Sequence, residues 1–177
     1  MRLPRCLSLS AAVLAAGLLG SALAAQDGSA RLSGAVNGES ATWHVVDIGD
    51  ASGSFWADMG TLHQVSVMAF SDPEGRRIEG AVEFSLTLDS RTDPMGVLDA
   101  HVTWYGEDLR RPYAVPPDRE ERVTAVLDDS RIEGNRLYLQ GRLATPLLRL
   151  VDATTDGFDP DDSVEFDLEF EISVERL

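Results

Sequence analysis

Residues 152–162, DATTDGFDPDD, place Asp152, Asp156, Asp159, Asp161 and Asp162 in one short stretch. Calcium takes about six to eight oxygen ligands, and closely spaced Asp side chains with loop carbonyls can supply them. The spacing departs from the D-x-D-x-D-G order of an EF-hand loop. Asp-Gly and Asp-Pro are also ordinary turn formers, so a solvated polar turn competes with a calcium loop as the explanation. No other cofactor is suggested.

Three histidines, His44, His63 and His101, stand on separate segments with no H-x-H or H-E-x-x-H spacing. Zinc catalysis needs three convergent protein ligands and an open position, which isolated histidines supply only if their strands converge. His101 alternates with Asp99 and Thr103, so a His–carboxylate pair on the polar face of a strand is expected. No G-x-S-x-G turn marks a nucleophilic serine. With 30 acids in the chain, carboxylate pairs at glycosidase spacing carry no information.

A third set lies in GEDLRRPYAVPPDRE, residues 106–120, where Arg110, Arg111 and Tyr113 share a stretch stiffened by Pro112, Pro116 and Pro117. Paired guanidinium groups read anionic groups with forked planar geometry, or bond to the protein's own acids. The aromatic pairs Phe55-Trp56 and Trp104-Tyr105 form the fourth set. Adjacent strand residues point to opposite faces, so one ring of each pair leaves the core unless another layer covers it. Trp56 and Tyr105 are therefore candidate contacts for a ligand or partner, unless both rings fold over the rim of the core.

These residues need elements to hold them, and the periodicity of the chain specifies strands. Helical spacing is nearly absent beyond the first residues, while alternation recurs between turn signals. RLSGAV and ESATWHVVDI flank Asn37-Gly38, a two-residue hairpin turn. Asp72-Pro73-Glu74-Gly75 joins TLHQVSVMAFS to IEGAVEFSLTLD. VLDAHVTWYG carries Leu98, Ala100, Val102 and Trp104 on one face. A long hairpin turns at Gly134-Asn135 with Leu137, Leu139 and Leu143 inward. Leu147–Val151 reads as a short crossing strand or a helical turn within a long connection, residues 147–163.

The last strand, Val164 to Val174, is apolar at every even position and carries Glu165, Asp167, Glu169 and Glu171 at odd ones. Such acids repel one another unless a neighbour intervenes. Pairing with RLYLQGRLAT sets Arg136 and Arg142 on the same outward face as the acids. Together these signals give an all-β fold of about nine strands. The expected form is a single antiparallel β-sandwich of meander hairpins, with a barrel as the alternative.

Composition sets the compartment. MRLPRCLSLSAAVLAAGLLGSALA has a basic start, a short apolar run and small residues before Ala25, so residues 1–24 are expected to be a cleaved signal peptide and 25–177 a single domain. The apolar run is too short to span a membrane, and no later segment approaches that length. Cys6, the only cysteine, falls inside the leader, which leaves the exported chain without a disulfide or a thiolate. Two of the 15 basic residues also lie in the leader, so 13 basic residues meet 30 acids and the exported net charge is −17. That charge disfavours nucleic acid as a partner. Every basic residue is arginine, which fits a GC-rich coding bias and a salty exterior. The expected function is a periplasmic or secreted, non-catalytic module that binds a small ligand or an envelope protein. A hydrolase with an acid or His–Asp site, and a structural subunit assembling through a sheet edge, are the alternatives.

Overall fold

The computed structural model describes residues 30–46, 53–152 and 157–177, and the expected signal peptide and Asp156 lie outside them. The described chain is all-β. Strands β1 (Arg31–Val36) and β2 (Glu39–Val45) form the first hairpin, with positive φ at Asn37 and Gly38 as a two-residue turn requires. Strands β3 (Phe55–Asp58), β4 (Leu62–Phe70), β5 (Val82–Asp89), β6 (Gly96–Trp104) and β7 (Tyr113–Ala114) follow. A short 3-10 segment, Pro117–Arg122, leads to β8 (Thr124–Glu133), β9 (Arg136–Asp152) and β10 (Gly157–Glu175). No helix among the described residues is long and apolar enough to cross a membrane.

All ten strands belong to one antiparallel sheet whose hydrogen bonding returns on itself through β1, β2, β4, β5, β6, β7, β9 and β10. The ring is narrow at its corners: β2 meets β4 only at His44 and Val45, and β7 bridges β6 to β9 only at Tyr113 and Ala114. β3 extends the sheet beside β4, and β8 lies along the first part of β9. The alternating apolar residues of all these strands meet inside. Phe84 packs 5.3 Å from Phe170, and Trp43 packs 5.7 Å from Phe166.

The expected register of the last hairpin holds. Leu137, Leu139 and Leu143 are buried, and the outward acids of β10 face β9 with Glu175 opposite Arg136 and Glu169 opposite Arg142. Arg136 donates to Glu175 at 2.8 Å. Two expectations change. Leu98 does not share the inward face, because a bulge pairs Val97 with Leu88 and Asp99 with Thr87, leaving Leu98 57% exposed. Leu147–Val151 is neither a separate strand nor a helical turn. β9 runs unbroken through it, and Pro146 falls in the gap between the stretch covered by β8 and that covered by β7.

Candidate functional site

β4 ends at Phe70 and β5 starts at Val82, while the first half of β2 continues past its last pair with β4. At this end of the sheet the inward face is incompletely covered. The connection 71–81 crosses the opening and is tied down on both sides. The Trp43 indole donates to the Gly80 carbonyl at 2.7 Å, Ser71 Oγ donates to the Glu79 carbonyl at 2.9 Å, and Tyr105 N–H donates to Ala81 at 2.8 Å. Two adjoining openings of about 490 and 360 Å3 remain, sharing Ser71, Gly80 and Trp104.

Trp104 is the last inward residue of β6 and is half-buried. Its ring lies 5.4 Å from that of Tyr113, at 32°. Tyr113 is fixed in turn from two directions. Its hydroxyl donates to Asp162 Oδ1 at 2.8 Å, and the Arg149 guanidinium sits 4.3 Å from its ring centre while bonding both the Asp162 carboxylate and the Tyr113 hydroxyl. The Tyr113 and Arg149 bonds hold the Asp162 carboxyl below the usual carboxylate range, and burial raises the Tyr113 phenol. At Gly106 a Cβ would stand 3.3 Å from the Trp104 ring, so glycine lets the chain turn close beside it.

Around this ring the groove has a largely apolar wall with polar groups set into it. Ser40, Thr42 and Ser71 supply hydroxyls and Asn37 an amide, while among the described residues Glu39, Glu79 and Glu107 outnumber the one cation, Arg77. The arrangement suits binding: a fixed aromatic face, hydrogen-bonding groups at the rim, and a negative balance.

The residues singled out in the sequence divide between this site and the rest of the fold. Tyr113 lies directly behind Trp104. Arg111 bonds the nearby Asp108 at 2.9 Å, which lowers the Asp108 carboxyl, and Arg110 presents an exposed side chain without an ion pair among the described residues. Tyr105 points away from the groove and donates to Glu83 at 2.9 Å. Trp56 lies at the other end of β4, 2% exposed, with its indole donating to Asn135 and its ring edge-on to His63.

Over its described length the acid stretch lies in β10 but bulges from the ladder, since 160–162 have no partner on β9 between Asp159, opposite Arg149, and Ser163, opposite Leu148. Residues 157–162 belong to β10, Asp159 accepts from the Asp161 amide at 3.0 Å, and Asp162 is engaged by Tyr113 and Arg149. Asp152 ends β9. Among the described residues no three His, Cys, Asp or Glu side chains stand together as metal ligands, and His44, His63 and His101 are apart. The expected His101–Asp99 pair forms, Nε2 to Oδ2 at 3.0 Å, on the exposed face of β6 and outside the groove.

Sequence reasoning missed Arg149 and Asp162 as supports of Tyr113. Their only signal was opposite charge in two segments brought side by side by the β9–β10 ladder. No family model matches the chain, and neither the curated proteins nor the solved structures compared with it give a match.

Proposed function

We propose that this chain is an exported, non-catalytic binding module, acting in the periplasm or outside the cell, that takes its ligand in the groove floored by Trp104. The fold is read as a single β-sandwich in which narrow strand bridges join two layers into a flattened barrel. The export signal expected of residues 1–24, from their basic start, short apolar run and small residues before Ala25, supports the location. The observation that carries the function is the Trp104 ring, backed by Tyr113 and presented to an opening rimmed by hydroxyls and carboxylates. Mouths of closed sheets are recurrent ligand sites, and a preorganised aromatic face reduces the entropy lost on binding.

The hydrolytic alternative rests on His101 and Asp99. Both side chains are about half exposed, 48% and 40%, on an open sheet face, a setting that suits surface charge better than general base catalysis. The test compares residues 25–177 with the Trp104→Ala variant on arrays of saccharides and peptides, with thermal unfolding confirming that the variant is folded. At least one ligand class is expected to be held by the parent and lost by the variant. Equal retention by both proteins removes the groove from the function.

A further inference from the structure

The same groove has a backbone wall. Val45 donates its N–H to the Ala30 carbonyl at 2.9 Å, on the side of β1. Backbone groups alternate along an antiparallel strand, so residues 41 and 43 also face β1, while 40, 42 and 44 face the opposite edge. On that edge His44 pairs with Phe70, after which β4 turns away at Ser71. The N–H and C=O groups of Ser40 and Thr42 therefore point into the track that β4 vacates, with no strand paired to them among the described residues.

We infer that this groove binds an extended basic peptide segment, added as a strand to the edge of β2 at Ser40–Thr42, with an arginine or lysine side chain over Trp104. The inference rests on the binding reading above and names its ligand class. Three features favour this occupant. Unpaired backbone donors and acceptors at strand spacing match a peptide main chain. The Trp104 face accepts a cation. Glu39, Glu79 and Glu107 against Arg77 leave the walls negative. A second copy of this chain is disfavoured as the occupant, because both partners would carry the same large negative charge, −15 over the full sequence.

The experiment uses residues 25–177 and a labelled peptide alternating arginine and valine, followed by fluorescence anisotropy at low salt. Two control peptides are included: one N-methylated at alternate residues, and one with glutamate in place of arginine. The parent peptide is expected to bind, N-methylation to weaken it roughly tenfold or more by removing main-chain donors, and the glutamate peptide to be rejected. Glu39→Gln with Glu107→Gln is expected to weaken binding by several-fold at low salt and by less at high salt.

Absence of peptide binding overturns the inference. So does equal binding of the N-methylated peptide, which would leave charge without strand addition. If a saccharide is instead held in a Trp104-dependent manner, the ligand class is wrong and the groove reading survives. If nothing depends on Trp104, both fall. Sedimentation of the chain alone as a dimer, dissociated by Thr42→Pro, would assign the edge to a second copy and also overturn the inference.

Discussion

Trp104 and Tyr105 are neighbours in sequence with opposite settings. Their adjacency predicts that one ring turns inward and one outward, and the alternation of Ala100 and Val102 indicates which. The sequence does not show where the interior ends: Trp104 becomes a groove floor because β4 and the connection 71–81 leave the inward face open beside it. Tyr105 carries a testable consequence. Burial, then the hydrogen bond to Glu83, pushes its phenol up to about 12. The unfolded phenol titrates near ~10. Below that pH both states hold the proton; between about 10 and 12 only the folded state does, so stability falls as pH rises through this window. Denaturant unfolding across alkaline pH should show a smaller loss for Tyr105→Phe than for the parent, and equal slopes would overturn the assignment. Asp89 is the acid counterpart. Hydrogen bonds from Arg91 lower its carboxyl to about 2, so its contribution is present above the unfolded value near ~3.9 and is lost as pH falls through about 2. The stability gap between parent and Asp89→Asn should close over that range.

Among the elements, the strands whose turns carry Asn-Gly, Asp-Pro-Glu-Gly or Gly-Asn were legible, because those residues fix the local backbone. The β9–β10 register was legible too, through the match of outward acids to Arg136 and Arg142. The extension of β9 through Val151 and of β10 back to Gly157 was not. Residues 157–163 are rich in Asp and poor in apolar side chains, and pairing of 157–159 and 163 with β9 holds them in the strand, with 160–162 bulging between Asp159 and Ser163. Closure of the ring also lacks a local signal, since β1 and β10 stand at opposite ends of the described chain and still pair from Arg31 opposite Glu171 to Val36 opposite Phe166. Gly34 shows how tight that closure is. A Cβ there would land on the Asp167 carbonyl of β10, a backbone atom that cannot rotate away. Gly34→Ala is expected to cost about 1–3 kcal/mol or more, whereas Ser33→Ala, beside it on the exposed face, should change little. Urea midpoints of the two variants check this, and a Gly34→Ala chain as stable as the parent would mean that β1 and β10 are not so closely packed.

At the scale of the whole molecule, charge opposes compactness. The chain has 30 acids, 15 arginines and no lysine, and several arginines are occupied by acids close to them in sequence, as in Arg91 with Asp89, Arg111 with Asp108 and Arg131 with Glu133. The outward row of β10 is only partly compensated. Glu175 has Arg136, but Asp167 lies opposite Ala144 on β9 and Ala35 on β1. Alternate strand residues stand about 6.6–6.8 Å apart, well inside the ~30 Å screening length at 0.01 M salt and comparable with the ~8 Å length at 0.15 M. The melting temperature should therefore rise with sodium chloride over this range. Asp167→Asn removes a carboxylate without changing its shape, and should raise the melting temperature at low salt with an advantage that shrinks as salt is added. Glu175→Gln removes an acid paired with Arg136 and should lower it slightly, as expected of an exposed ion pair. Self-repulsion and specific pairing thus predict opposite signs for two acids on one strand face. Both variants shifting in the same direction, or a melting temperature indifferent to salt, would show that the row contributes no net repulsion to the folded state.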